Sequence, residues 1–224
     1  MRKWLESILM DKKNHYIFDY DGTLVDTLEG YYDIHKELCS TYNIKPLSLD
    51  AYFNLRRSGS GEVSILKENF SLLVKDERIA SDFAYLAEME RFQRKYKVKK
   101  GVVELLESIN NIGAKISLCT FRRSQNLLIR DLKQKNIINF FSDIVSRGMP
   151  EFRSETNKVR MLESIIVDYE KTIFIGDTEG DFYSANKAGI SSLILSDGLR
   201  NHNFLKSIGV VSIKDSCLDL LKEI

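Results

Sequence analysis

The chain has 224 residues, enough to bury a sizeable core and form one domain with a modest insertion. Its 33 lysines and arginines balance 32 aspartates and glutamates, so charge argues against nucleic acid or an anionic membrane surface as partner. No apolar run approaches the ~20 residues that a membrane helix needs.

Residues 1–11 include acidic side chains and no long apolar stretch, so no secretory signal is expected. The first strong pattern is His15-Tyr16-Ile17-Phe18-Asp19-Tyr20-Asp21-Gly22-Thr23-Leu24. An apolar strand ends on Asp19, and Asp21 follows two places on. Strand geometry alternates side chains, so these two carboxylates start on the same face. At the end of a buried strand such a pair is costly unless a cation or a proton neutralises it. Taken alone, Asp-x-Asp-Gly is equally a capped turn.

Residues 27–99 lack obvious strands and show helical spacing. Leu28, Tyr31, Tyr32, His35, Leu38, Cys39 and Tyr42 form one helix face, and Tyr85, Met89, Phe92 and Tyr96 another. About four helices are expected, with connecting loops at 43–48 and 56–61. His35 and the tyrosines read as packing residues of this module.

A helix is expected over 101–110, then a strand at 115–120 ending on the hydroxyl of Thr120. Helix follows from about Ser124, a third strand at 141–146, and a fourth at 171–177 ending on Asp177. Asp181 lies four residues on, within Gly176-Asp177-Thr178-Glu179-Gly180-Asp181, and helix runs to about Ala188. A fifth strand is expected at 191–196 and a short last one at 210–213. Strand, loop and helix in repetition give a parallel sheet with helices on its faces. Ligands bind beyond the carboxyl ends of such strands, where Asp19, Thr120 and Asp177 all fall. Cys39, Cys119 and Cys217 are odd in number and widely spaced. They read as reduced packing residues of a cytoplasmic protein, with no disulfide or zinc framework.

With these residues the sequence resembles the haloacid dehalogenase (HAD) superfamily, close to its phosphoglycolate phosphatase-like members. Asp19-Tyr20-Asp21-Gly22-Thr23-Leu24 matches the first family motif, Thr120 the second, and Asp177 with Asp181 the fourth. Lys158 fits the lysine of the third motif. Many such relatives carry Lys-Pro there, whereas this chain reads Thr156-Asn157-Lys158-Val159, so Arg153 stands as a rival cation. The resemblance implies a Rossmann-like parallel-sheet core, residues 1–26 and 100–224, with its first strand central in the order 5-4-1-2-3. It implies a small all-helical cap domain, 27–99, inserted after the first strand.

The resemblance also implies a Mg²⁺-dependent phosphatase acting through an aspartyl-phosphate. Asp19 is then the nucleophile, and Asp21 the general acid and base. Mg²⁺ is held by Asp19, Asp177 and the Asp21 backbone carbonyl. Thr120 and Lys158 hold the phosphoryl group, and Asp181 orients Lys158 or a metal-bound water. As a carboxylate near a helix N-terminus, Asp181 is also favoured by the helix dipole. Carbon–halogen cleavage is not expected, because the members that perform it lack an aspartate at the place of Asp21. Arg56 and Arg57 are candidate substrate-binding cations in a short basic loop, with a solvated turn as the alternative. Arg122 and Arg123 follow Thr120 and could reach the cleft; as side chains at a helix start they equally point to water, and they stay outside the expected site. The expected substrate is a small soluble phosphorylated metabolite. The alternatives are a phosphotransferase or phosphoglucomutase-like isomerase using the same aspartates, or a non-catalytic binding protein retaining the fold.

Overall fold

The computed structural model describes residues 13–70 and 73–224. The expectation about a secretory signal concerns residues outside the described ones. Strand β1, His15–Phe18, is buried along its whole length, as befits an apolar run flanked by strands and covered on both faces. It pairs in parallel with β4, Lys115–Thr120, on one side and β6, Thr172–Gly176, on the other. Outside these lie β5, Asp143–Ser146, then β7, Ser191–Leu195, and β8, Ile213–Lys214. The order is β5-β4-β1-β6-β7-β8. Counting only these parallel strands in chain order, it is the expected arrangement with the first strand in the centre.

Parallel neighbours need crossover connections, and the helices supply them. Tyr16 and Phe18 point to one face of β1, where they join Leu118, Ile173, Ile175, Leu105 and Leu132 in one apolar layer. Ile17 points to the other face and joins Cys119, Phe174, Met161, Leu162 and Ala185. Strand alternation therefore divides one sheet into two cores. Cys119 lies in the second layer, buried and free of any disulfide.

Between β1 and β4 the chain builds a helical insertion. Its helices are α1, Leu28–Thr41; α2, Leu49–Arg57; α3, Glu62–Phe70; α4, Asp76–Ala87; and the single turn α5, Glu90–Gln93. Ile34, Leu38, Cys39, Leu66, Ile79, Leu86 and Phe92 give it an apolar cluster of its own. His35 is buried there, with Nδ1 2.7 Å from Glu62 Oε1. Its Nε2 accepts the Leu47 N–H at 3.3 Å, which leaves Nδ1 as the donor to Glu62. The packing role expected for His35 is the one observed.

Three boundaries differ from the sequence reading. The insertion is closed at its base by an antiparallel pair, β2, Val25–Asp26, with β3, Lys97–Val98. Two-residue strands carry no period to read. Arg56 and Arg57 belong to the last turn of α2, not to a loop, and the chain turns only at Ser58. The last strand is Ile213–Lys214, not 210–213, and Val210 packs instead in a small cluster with Ile194 and Leu205. Among the described residues no helix is long and apolar enough to cross a membrane.

The amino end of the sheet carries a pH-sensitive contact. His15 Nε2 lies 2.8 Å from Ser117 Oγ, which donates to Asp143 Oδ2 at 3.1 Å. Burial, aided by Lys115, lowers the His15 pKa from 6.5 to about 4. The folded state thus favours neutral histidine. This contribution is complete above pH 6.5 and is lost as pH falls toward 4. Urea unfolding at pH 7.5 and pH 5 should show an acid loss smaller in His15→Gln than in wild type by about 1 kcal/mol, after allowance for solvent screening. Equal acid losses in both proteins would exclude His15 as the source.

Candidate active site

The carboxyl ends of β1, β4 and β6 converge on a cavity of about 380 Å³. Asp19, Asp21, Thr120, Lys158 and Asp181 line it from the sheet side, and Tyr31, Phe83, Ala87, Gln93 and Tyr96 from the insertion. Five expected site residues therefore meet in one place although up to 162 positions separate them in the chain. The cavity sits where parallel sheets bind ligands.

Asp19 continues β1, its N–H donating to Ile175 O at 2.8 Å. Its carboxylate is 6% exposed, and Oδ1 lies 2.6 Å from Lys158 Nζ. Lys158 is equally buried and reaches Asp181 Oδ1 at 2.7 Å. Burial opposes the charge on Lys158, but Asp181 and Asp19 outweigh it and raise its pKa. Arg153 is exposed, so the cation placed against Asp19 is Lys158.

Asp181 serves three neighbours, accepting from Asp177 N at 3.2 Å as well. Its Oδ2 accepts from Thr178 N at 3.0 Å and Thr178 Oγ1 at 2.7 Å, forming a capping box at the start of helix Glu179–Lys187. Its Oδ1 orients Lys158. The helix-terminal contact and the contact to Lys158 thus come from one carboxylate.

Asp177 is fully buried just behind the cavity wall. Oδ1 accepts Thr23 Oγ1 at 3.0 Å, and Oδ2 accepts Leu199 N at 2.7 Å. Two glycines make room for it. A Cβ on Gly22 would stand 2.2 Å from Asp177 Oδ2, and one on Gly198 2.4 Å. Gly22 also has φ +83°, a conformation that glycine adopts without strain. The Asp21-Gly22 turn thus lets the chain press onto Asp177.

Asp19, Asp177 and Asp181 each bring a carboxylate oxygen within 4.8 Å of the others. Of these three buried carboxylates, Asp19 and Asp181 share the Lys158 ammonium group, so negative charge is in excess. Burial pushes the Asp19 pKa well above the ordinary value, against the pull of Lys158. Burial, then the charge of Asp181, pushes Asp177 up to about 7. An all-oxygen, electron-rich cluster that resists ionisation suits a hard divalent cation. The residues present therefore fit a metal ion.

Thr120 is buried at the end of β4, and its Oγ1 accepts the Arg122 N–H at 3.4 Å. The hydroxyl proton remains available to the cavity. Arg56 and Arg57 do not line the cavity. Arg57 Nη2 donates to Ser196 O at 2.5 Å, tying α2 to the sheet. The Arg56 guanidinium packs beside the rings of Tyr31 and Phe83, 5.4 and 5.6 Å from their centroids. Both rings line the cavity. Arg56 is buried, and its Nε has no hydrogen-bond partner.

The residue that the sequence reading weighed and set aside is Arg122. It is 4% exposed and grips Asp21 with two nitrogens, Nε to Oδ2 at 2.9 Å and Nη2 to Oδ1 at 2.7 Å. The helix after β4 begins only at Gln125, capped by Ser124. Residues 121–123 are therefore a loop at the cavity mouth, and Arg122 turns inward. The usable signal was position: two residues past a polar strand end.

Comparison with known proteins gives the family. The family model for haloacid dehalogenase-like hydrolases matches residues 16–195. The chain belongs to that family. It is 25% identical over 194 residues to a phosphoglycolate phosphatase of Agrobacterium fabrum, covering 81% of this chain and 80% of the relative. It is 27% identical over 217 residues to a phosphorylated carbohydrates phosphatase of Thermotoga maritima, covering 93% and 98%. Among solved structures, a "predicted phosphatase" from Clostridium acetobutylicum superposes with a TM-score of 0.75 at 22% identity, over 94% of this chain and 97% of the other. At that identity the likeness is one of fold.

Proposed function

We propose that this protein hydrolyses a small phosphate monoester through a phosphorylated Asp19, with Mg²⁺ as its cofactor. The chain is a phosphoric monoester hydrolase of its family; substrate, metal and intermediate are the proposal. The observation that carries it is the buried set of Asp19, Asp177 and Asp181 around Lys158, opening onto a cavity walled by the insertion.

Asp19 and Asp177, with the Asp21 backbone carbonyl, would hold the cation. When bound, it would neutralise the excess carboxylate charge and that of the phosphate oxygens. An Asp19 carboxylate oxygen attacks phosphorus while the bond to the leaving oxygen breaks. Asp21 gives that oxygen a proton, then takes one from the water that cleaves the aspartyl-phosphate. Lys158 holds Asp19 in line and offers charge to the phosphoryl group, to which the Thr120 hydroxyl donates. Asp181 keeps Lys158 in place.

Residues 27–99 act as the cap and choose the substrate, because the sheet residues meet only the phosphoryl group and metal that all such esters share. Arg56 does not line the cavity and would favour an anionic substrate only through its charge, beside the cavity-lining rings of Tyr31 and Phe83; Arg57 holds α2 to the sheet. The protein works in the cytoplasm, consistent with three free, buried cysteines.

Phosphate release should be measured over a broad metabolite panel with Mg²⁺ and again with a chelator. Release is expected only with the metal, and from esters small enough for the cavity. Isomerised product without phosphate would establish a mutase instead. Binding without turnover would establish a non-catalytic protein.

A further inference from the structure

Arg122 is a buried cation in the cavity wall for which the reaction above has no task. Its fork takes both oxygens of Asp21. The rest of the side chain is anchored on other elements. Nη1 donates to Asp131 Oδ2 at 3.0 Å and to Gln93 Oε1, in the insertion, at 3.1 Å. The guanidinium carbon lies 4.6 Å from the Tyr20 ring centroid and 5.5 Å from that of Tyr96. Asp131 is itself held by Tyr20 Oη at 2.9 Å and by Lys135. Arg122 therefore cannot follow Asp21 if that carboxylate is drawn elsewhere.

There is a strong pull elsewhere. Asp21 stands two residues from Asp19, and its neighbour Gly22 abuts Asp177. Without a restraint, a carboxylate so near a divalent-cation cluster would be drawn into the coordination, since hard cations favour charged oxygen ligands. Once ligated, it can no longer carry protons. Asp19 and Asp21 begin on the same face, so strand geometry alone does not separate their tasks. A bidentate arginine does, because it fixes both the direction and the plane of the carboxylate.

We propose that Arg122 is a positioning residue that holds the Asp21 carboxylate off the divalent-cation site. This rests on the metal-site reading given above, and its effect on turnover on the acid–base reading of Asp21. Arg122→Lys is the first test, since it keeps the charge but replaces the fork by a point contact. Mg²⁺ affinity is measured by calorimetry in the absence of substrate, and turnover separately. Affinity is expected to rise by about tenfold, while kcat falls by about 10–100-fold with KM changed by less than about threefold. Asp21→Asn should remove the affinity gain from the Arg122→Lys protein, because an amide competes poorly for the cation.

Asp131→Asn loosens the anchor without removing the arginine. It should move both quantities in the same direction by a smaller factor, and it serves if the first variant unfolds. Unchanged Mg²⁺ affinity in folded Arg122→Lys, or an affinity gain that persists with Asp21→Asn, overturns the proposal and leaves Arg122 a structural cation. Wild-type turnover in Asp21→Asn alone would instead sink the acid–base reading. The affinity measurements would still decide whether Arg122 restrains Asp21.

Discussion

Asp19→Asn should lose turnover by on the order of 10⁴-fold or more, as removal of a nucleophile does, while the protein stays folded. The two halves of this expectation have different physical sources. The amide oxygen still accepts a hydrogen bond from Lys158 Nζ, 2.6 Å away in the native protein, but it is too weak a nucleophile to displace an alkoxide. Stability should hold or rise when metal is absent. Burial raises the Asp19 pKa, so the ionised group works against folding wherever it is charged in the unfolded chain. A neutral isostere removes that opposition, and Lys158 keeps its contact with Asp181 at 2.7 Å. Thermal unfolding in chelator, beside phosphate release in Mg²⁺, checks both halves. A phosphorylated peptide trapped on wild type should map to Asp19. Mapping to another residue, or substantial turnover in the variant, would remove Asp19 from the central role.

The parts of this site that the sequence exposed share one property: each ends an apolar run with a polar residue. Phe18 to Asp19, Cys119 to Thr120 and Gly176 to Asp177 are such steps, and the structure sets all three at neighbouring strand ends. Lys158 had no such mark. It lies at the N-cap of the five-residue helix Val159–Glu163, where composition separates it poorly from Arg153. Only the family resemblance pointed to it, and the fold then brought it to Asp19. Arg122 stayed hidden because its partner Asp21 is 101 positions away and an arginine after a strand usually reaches water. The arginines at 56 and 57 were visible as a pair, yet their environments differ. One packs beside two aromatic rings and the other is tied to the Ser196 carbonyl. Residue type sets the charge of a position, whereas burial and partners, which decide its use, come from packing between distant segments.

Lys158→Met should damage both stability and catalysis, unlike the change at Asp19. Methionine fills a similar volume but removes the cation that two buried carboxylates share. Asp181 keeps its donors at Thr178, whereas Asp19 is left facing Asp177 and Asp181 with no cation. Breaking a buried ion pair from one side costs about 3–5 kcal/mol, so urea unfolding in chelator should shift by that order. Turnover should fall by about 10²–10³-fold, the scale for loss of one preorganised electrostatic contact to the reacting group. Mg²⁺ should recover more stability in this variant than in wild type, because the added cation relieves a larger excess of negative charge. Arg153→Ala is the paired control. Arg153 is exposed, so its removal should leave turnover and stability unchanged within error. Loss of turnover in Arg153→Ala with a near-normal Lys158→Met would reverse the assignment. It would mean that the loop between β5 and β6 rearranges in the working enzyme and exchanges one cation for the other.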